Sequence, residues 1–320
     1  MESNREGVRA LKLSLLGLGA TAALQLGVAW VSGSVALLSD SLHNFADALT
    51  ALPLWLAFNL GRRPPTRRFT YGYGRAEDIA GLVVVVIIAA SGALAAWEAV
   101  DRLRHPHGVD HIGLVMAAAV IGIVGNELVA IYRIRVGRKI GSAALVADGL
   151  HARADALTSV AVLLGAIGVA LGWDQADALA GLLISVAIVV VLAQAALGVG
   201  ERLMDAVSPD LVGQAEGIVA GAPGVQAVTE LRIRWVGHRL HAEVRITVDR
   251  DLDVAAAHEI GERAHHALLH EMPMLAGAVV HLDPCAHAGP DPHEGTAHHF
   301  SGSGRAARTS EPGPGEHAGG

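Results

Sequence analysis

Two short stretches of the chain repeat one arrangement of histidine and aspartate. The first runs from Asp40 to Thr50 and the second from Asp148 to Thr158, and both fit the pattern D-x-L-H-x-x-A-D-A-L-T. In each copy the histidine precedes the second aspartate by four residues, so on a helix both side chains lie on one face, one turn apart. The leading aspartate, three residues before the histidine, joins that face. Two such faces turned toward each other would present two imidazoles and two carboxylates.

This residue set predicts tetrahedral coordination of a divalent metal ion, with zinc as the first candidate, because zinc is bound by imidazole nitrogen and carboxylate oxygen. The predicted ligands are His43, Asp47, His151 and Asp155. For Asp40 and Asp148 we favour a role beside the ligands or on the access path. Direct ligation, or a position at a helix end near the membrane interface, is the alternative.

Both copies lie inside long apolar runs, and 52% of the chain is hydrophobic with a mean hydropathy of +0.42. A charged side chain at the centre of a membrane helix costs about 2.5–3.5 kcal/mol on insertion scales, so each aspartate requires a partner. Arg153 is the only basic side chain in the two motif helices. We therefore expect a cation, protons or water to balance the carboxylates. The alternative is that these groups only hold helices together, but duplication of His-x-x-x-Asp favours metal binding.

The elements that must position the motifs are six apolar runs, each close to the roughly 20 residues that a membrane span requires. They cover about 13–31, 35–60, 79–100, 112–132, 142–171 and 178–199, so the motif copies belong to the second and fifth spans. The sequence therefore predicts an N-terminal segment over 1–12 and a six-helix transmembrane domain over 13–203.

The basic residues of the connecting segments predict the orientation of the spans. The links between spans one and two and between five and six contain no Lys or Arg, whereas two other links are strongly basic. Positive residues remain on the cytoplasmic side, so both termini are predicted to be cytoplasmic. The basic residues of these two links are Arg62, Arg63, Arg67, Arg68 and Arg75, and Arg133, Arg135, Arg138 and Lys139.

After Met204 the composition changes to that of a small soluble α+β domain over 204–285. Apolar and polar residues alternate on both sides of Gly237, which is typical of two half-buried strands joined as a hairpin. Val254–Glu271 is predicted to be a helix with Asp253 as its N-cap. A helix near 211–220 and a short strand at 279–282 complete the domain. The segment 286–320, rich in Gly, Pro and His, is predicted to be disordered.

Several functional classes are excluded or disfavoured. A single cysteine, Cys285, excludes an intramolecular disulfide and a multi-cysteine metal cluster. The modest net charge of −7 argues against a nucleic-acid partner. The chain has no Walker-type Gly-Lys-Ser/Thr loop, so a nucleotide is not the expected energy source. It also lacks His-Glu-x-x-His and a separate general base, so a catalytic zinc site within the membrane is disfavoured and the protein is not expected to be an enzyme.

The segments Leu38–Asp47, Tyr71–Glu77 and Asp148–Asp155, together with the ending Val280-His281-Leu-Asp283-Pro284, resemble the cation diffusion facilitator family. The resemblance extends from about residue 13 to 285. It implies a divalent-cation/proton exchanger of the plasma membrane, with a ferredoxin-like, metallochaperone-like cytoplasmic domain that forms a homodimer. No resident cofactor is implied. The second and fifth spans of the family form the transport site, which corresponds here to the four predicted ligands. Two histidines favour Zn²⁺, with Cd²⁺, Co²⁺, Ni²⁺ or Fe²⁺ as alternatives.

The sequence departs from the family pattern in two places. The link after span two has no histidine between Arg68 and Tyr73, so the metal site that some members hold there is not expected. In the cytoplasmic domain, Thr229 and Arg245 stand where two metal-binding histidines are expected. A cytoplasmic metal site could still use the remaining candidates, or their surface could simply be a polar dimer contact. These candidates are His241, His258, His281 and Asp283.

The sequence is compatible with alternatives on three points. A metal sensor or binding protein that does not transport would carry the same motif, and only flux separates it from a transporter. Asn126 and Glu127, within span four, could line the cavity or bond to a neighbouring helix. The histidines of the predicted tail could bind zinc loosely or only be solvated. They are His287, His293, His298, His299 and His317.

Overall fold

The computed structural model describes residues 2–32, 51–104, 112–173 and 175–285. The first motif copy, with Asp40, His43 and Asp47, lies outside these residues, as does the predicted tail. In the described ranges six helices precede the C-terminal domain, and all but α2 are long and apolar enough to cross a membrane. The ten-residue α2 is the described end of the predicted second span. They are α1 (Glu2–Ser32), α2 (Ala51–Leu60), α3 (Ala76–Arg104), α4 (Ile112–Ile140), α5 (Ala143–Ala170) and α6 (Ala176–Leu203).

Helix α5, which carries the second motif copy, is at the centre of the bundle. It packs along α4 and α6 and also contacts α3 and the described end of α2. Small residues allow this close packing, as they commonly do between membrane helices. At Gly149 a Cβ atom would lie 2.7 Å from Cγ1 of Ile134, so any side chain there would push α4 and α5 apart. The fold therefore surrounds the motif with neighbouring helices.

Helix α4 corrects the predicted boundary of span four. The sequence suggested an end near Tyr132, with the following basic residues in a link, but the helix continues to Ile140. Only Gly141 and Ser142 separate it from α5. Gly141 adopts a positive φ of 74°, and the Ser142 hydroxyl caps α5 by accepting a hydrogen bond from the Leu145 amide. Hydropathy marks where an apolar run ends, whereas a helix can continue through charged residues that find partners.

The C-terminal domain is a three-stranded sheet with two helices on one face. Its elements are α7 (Pro209–Ala220), β1 (Ala227–Val236), β2 (Arg239–Val248), α8 (Val254–Glu271) and β3 (Leu275–Pro284). The strand order is β1-β2-β3, with β1 antiparallel and β3 parallel to β2. The predicted hairpin is present, and Asp253 caps α8 by accepting a 2.7 Å hydrogen bond from the Ala256 amide. The third strand is longer than the predicted 279–282.

Burial separates the two faces of this sheet. The inner face and the two helices form one apolar core, which includes Trp235, Leu240, Val244, Ile246 and Leu268. The outer face carries polar side chains joined by ion pairs, such as Arg232–Glu230 at 2.6 Å. The alternation of apolar and polar residues along the strands decides this division, because successive side chains of a strand point to opposite faces.

The turn of the β1–β2 hairpin docks this domain against the ends of the membrane helices. Gly237 has a positive φ of 61°, and a Cβ there would lie 2.7 Å from the Gly74 carbonyl oxygen. Its amide donates a hydrogen bond to Asp78, while the His238 ring nitrogen Nδ1 lies 2.6 Å from Oε2 of Glu77. The α2–α3 link is therefore on the same side of the bundle as the C-terminal domain.

Arg202, at the end of α6, connects the same parts of the molecule. Its guanidinium donates a 2.6 Å hydrogen bond to the Gly141 carbonyl in the α4–α5 turn. The guanidinium carbon also lies 3.7 Å from the centre of the Trp235 ring, which is the geometry of a cation–π contact. The α4–α5 turn thus lies on the same side as the α2–α3 link, as an arrangement of spans with alternating direction requires.

Candidate metal centre

The second motif copy brings His151 and Asp155 together on one face of α5. The His151 side chain is almost fully buried, with 2% of its surface exposed, and that of Asp155 is 13% exposed. Nδ1 of His151 lies 3.8 Å from Oδ1 of Asp155. The hydroxyls of Thr158 and Ser159 donate hydrogen bonds to the Asp155 main-chain carbonyl, so they do not occupy its carboxylate. This pair could supply one nitrogen and one oxygen ligand to a metal ion.

These two residues are one half of the predicted ligand set. The other half, His43 and Asp47, lies outside the described ranges. Within those ranges, no three His, Cys, Asp or Glu side chains come close enough together to hold a metal ion. The complete four-ligand set therefore stays a prediction from the repeat.

Asp148 lies next to a partner that the sequence reasoning missed. Its side chain is fully buried, and Oδ2 is 3.0 Å from Nη1 of Arg133 on α4, which is also buried. The run of basic residues after Tyr132 predicts that Arg133 belongs to the link after span four, outside the membrane helices. A signal was present, since the apolar residues Ile134 and Val136 continue the helix past it. One of the motif carboxylates is thus balanced by an arginine from a neighbouring helix.

The Arg133–Asp148 ion pair lies within about two helical turns of the candidate ligands His151 and Asp155. Asp148 precedes His151 by three residues and Asp155 by seven, which corresponds to about 4.5 Å and 10.5 Å along a helix. It therefore lies between the α4–α5 turn and the candidate ligands. That location is compatible with the predicted position of Asp148 beside the access path. The ion pair with Arg133 also gives Asp148 a role in joining α4 to α5.

A second ion pair joins α4 and α5 and involves Glu127, one of the two polar residues predicted within span four. Arg153 reaches Glu127 with two contacts, Nη2 to Oε1 at 2.7 Å and Nε to Oε2 at 3.3 Å. Glu127 therefore bonds to a neighbouring helix. Asn126, one residue earlier, is buried. Arg153 points away from the His151–Asp155 face, as its spacing in the sequence predicts.

The cytoplasmic candidates do not form one cluster within a single chain. His281 and Asp283 contact each other, with Nε2 3.2 Å from Oδ1. His241 pairs in register with Gly277, four residues before His281, which corresponds to roughly 13 Å along the strand. His258 is on α8, which covers the opposite face of the sheet.

Arg245 affects this pair directly. It stands where a metal-binding histidine is expected, and its Nε lies 3.5 Å from Oδ2 of Asp283. A fixed positive charge beside this carboxylate opposes the approach of a metal cation. Metal binding by His241, His258, His281 and Asp283 stays a prediction, and one chain brings together only the last two.

His241 provides a prediction about pH. Burial lowers the pKa of the His241 imidazole, and the charges of Arg234 and Arg239 lower it further. The unfolded chain therefore takes up this proton more readily, and stability contributed above about pH 6.5 is lost as the pH falls through the folded-state pKa. We expect the amide-exchange protection of β2 in the full-length protein to decrease on acidification, and His241→Gln to reduce this dependence.

The matched control for this measurement is His266→Gln, which replaces an exposed histidine on α8. It should leave the pH dependence of β2 as it is in the original protein. An unchanged pH profile in His241→Gln would contradict the assignment to His241.

Comparison with known proteins places these features in a family. Residues 11–204 match the family model described as the cation efflux transmembrane domain. Residues 207–285 match the model described as the cation efflux protein cytoplasmic domain. The two matches include α5 with its motif and the whole three-stranded sheet.

Individual relatives cover most of the chain. A probable cation efflux system protein of Mycobacterium tuberculosis is 54% identical over 92% of this chain and 89% of its own length. Metal tolerance protein C1 of Arabidopsis thaliana is 30% identical over 88% of this chain and 64% of its own. The cation-efflux pump FieF of Serratia proteamaculans is 30% identical over 87% of this chain and 93% of its own.

Proposed function

The chain belongs to the cation efflux family, the cation diffusion facilitators, and from this premise we propose that it exports Zn²⁺ in exchange for protons. Membership makes it a multi-pass membrane protein that transports divalent cations. The relatives' names speak of cation efflux and metal tolerance, which agrees with removal of a metal from the cytoplasm. Zinc as the cargo and proton exchange as the energy source are the steps added here.

The observation that carries the proposal is the pair formed by His151 and Asp155 on the central helix of the bundle. A buried imidazole and a nearly buried carboxylate on one helix face are half of a tetrahedral zinc site. The same spacing in His43 and Asp47 would supply the other half from the second span. Four such ligands provide two neutral and two negatively charged donors, which suits a dication in a low-dielectric environment.

Proton exchange follows from the chemistry of these ligands. Zinc binds neutral imidazole and ionised carboxylate, so binding displaces any protons that they hold. When the site opens to the outside, protons from that side compete with the metal and release it. Histidine suits this exchange because its charge changes near physiological pH. The site would face the two sides in turn as α5 and the second span move relative to the other helices.

We propose the plasma membrane as the location, with both termini in the cytoplasm and two copies joined through the C-terminal domain. What supports the orientation is that Gly74 of the basic α2–α3 link and Gly141 of the α4–α5 turn both pack against this domain. The positive-inside rule places basic links in the cytoplasm. The homodimer rests on the family resemblance.

The test is zinc flux in proteoliposomes that contain the purified full-length protein and carry an imposed pH gradient. We expect zinc to move against the direction of proton flow and to stop when an ionophore collapses the gradient. Liposomes without protein control for leakage, and Mn²⁺ or Mg²⁺ in place of Zn²⁺ tests selectivity. Zinc binding without flux of any divalent metal would contradict transport and support a sensor. Flux unaffected by the gradient would contradict proton exchange.

A further inference from the structure

An arginine-lined cavity lies where the membrane helices meet the β1–β2 hairpin. Its volume is about 360 Å³, and its walls come from the start of α1, the end of α2, the start of α3 and the hairpin turn. Three arginines line it, Arg5, Arg62 and Arg239, each from a different segment of the chain. None of the three forms an ion pair with a residue in the described ranges, so their charges are available to a ligand.

The chemistry of the walls indicates which ligand this cavity would accept. Three guanidinium groups form a site for an anion with several acceptor oxygens, and phosphate is the group that arginine recognises best. Phe58 on α2 provides an apolar wall on the membrane side. A ligand with both a phosphate and an apolar portion would match these two surfaces.

A buried carboxylate adds a second requirement. Glu77 lines the same cavity with only 5% of its side chain exposed, and its Oε2 contacts His238. Its Oε1 accepts no hydrogen bond from the part of the chain that the structure describes. A buried acceptor oxygen of this kind is stabilised by a hydrogen-bond donor, and a hydroxyl group of a ligand would supply that donor without adding charge. The expected ligand therefore combines a phosphate with hydroxyl groups.

The position of the cavity indicates the source of this ligand. Arg62 lies two residues after Leu60, the last residue of α2, at the level where an apolar span gives way to basic residues. An apolar groove of about 380 Å³ between α2 and α3 shares Ala57 with the cavity, and it includes Leu56, Ile79 and Arg63. A membrane lipid could thus place acyl chains beside the helices and its headgroup among the arginines.

From these observations we infer that the junction between the helices and the hairpin binds a phosphate ester carrying hydroxyl groups, supplied as the headgroup of an anionic phospholipid such as phosphatidylglycerol. Such a ligand would contact α1, α2, α3 and the hairpin at once. Its binding would stabilise the docked position of the C-terminal domain, because a ligand that binds only one arrangement shifts the population toward it. The inference is independent of which metal is transported.

The test measures lipid binding to the delipidated full-length protein by native mass spectrometry, with phosphatidylglycerol, phosphatidic acid and phosphatidylcholine of matched acyl chains. Two arginine contacts near a membrane surface are each worth roughly a fivefold change in affinity. We therefore expect phosphatidylglycerol to bind at least about tenfold more tightly than phosphatidylcholine, with phosphatidic acid between them. The double variant Arg62→Gln/Arg239→Gln should lose this preference.

The matched control is Arg67→Gln/Arg68→Gln, which removes the same number of positive charges, both from the link that contains Arg62, without touching the cavity. It should keep the preference, and an equal loss in both double variants would overturn the site in favour of general surface charge.

Arg5→Gln, on a different element, repeats the test if the first variant does not fold. Binding of dissolved glycerol 3-phosphate as tight as that of the lipid would support the phosphate site but overturn its membrane source. Preference retained in Arg62→Gln/Arg239→Gln would overturn the inference.

Discussion

Asp155→Ala is expected to abolish gradient-driven zinc flux, lowering the initial rate by at least about 100-fold. The substitution removes one of two predicted carboxylate ligands from a nearly buried position on the central helix. A zinc site with three ligands and less negative charge holds the metal more weakly, and loss of groups that merely support a ligand already costs about 10–100-fold. The measurement is zinc entry into proteoliposomes across an imposed pH gradient, at equal amounts of reconstituted protein.

Thr158→Ala is the matched control for this experiment. Its hydroxyl bonds to the Asp155 main-chain carbonyl, so the variant changes the same turn of α5 while leaving the carboxylate in place. We expect flux within about twofold of the original protein, as is usual when only a local hydrogen bond of about 1 kcal/mol or less is lost. Asp155→Ala protein that folds and still transports zinc would move the transport site away from the repeated motif.

Arg133→Met is expected to destabilise the protein by about 3–5 kcal/mol, because it leaves the Asp148 carboxylate buried without its cation. The partner oxygen and nitrogen are 3.0 Å apart, and both side chains are excluded from solvent, so neither charge can be hydrated in the folded protein. The neighbouring contact at Gly149 shows that α4 and α5 are closely packed beside this ion pair. The measurement is the unfolding midpoint of the detergent-purified protein, followed by tryptophan fluorescence.

The double variant Arg133→Met/Asp148→Leu tests whether the stability lost in Arg133→Met is due to the unpaired Asp148 carboxylate. Removing both ions leaves apolar groups in an apolar setting, so most of the lost stability should return. Arg135→Met, which replaces an exposed arginine on the same helix, should change the unfolding midpoint little. Equal destabilisation by the single and double variants would show that the unpaired Asp148 carboxylate is not the cause of the lost stability.

The same double variant distinguishes two interpretations of Asp148. If its only role is to join α4 and α5 through Arg133, the refolded double variant should transport zinc at close to the original rate. If the carboxylate also lies on the access path, stability should return while flux stays low. Measuring both properties on one preparation separates these outcomes, since the first depends on packing and the second on a charge near the candidate ligands.

Much of the architecture was predictable because it depends on local patterns. Runs of apolar residues indicated the long helices, and alternation along the chain predicted the hairpin at Gly237. The helix Val254–Glu271 and its Asp253 cap followed from periodicity and from a residue type that satisfies free amide groups at a helix start. Each of these signals involves residues close together in the sequence, so no knowledge of the tertiary structure was required.

The ends of the helices and the ion-pair partners of the charged residues were harder to predict from the sequence. Hydropathy predicts too short a span four because it counts Arg133 as polar, whereas in the fold this residue is buried against Asp148. Glu127 was left without an assignment because its partner, Arg153, is on another helix. His241 and His281 were considered as one group because both belong to the polar sheet face, but their register separates them.

The sequence by itself determined the family, the repeated His-x-x-x-Asp pattern and the division into an apolar helical part and a small α+β domain. These features depend on the periodicity of side chains in helices and strands and on the transfer of apolar side chains out of water. Both can be inferred from the order of residues along one chain. Only the tertiary structure decided which charges neutralise each other, because Arg133 and Arg153 reach carboxylates on other helices. It also created the arginine-lined cavity, whose walls come from four separate segments.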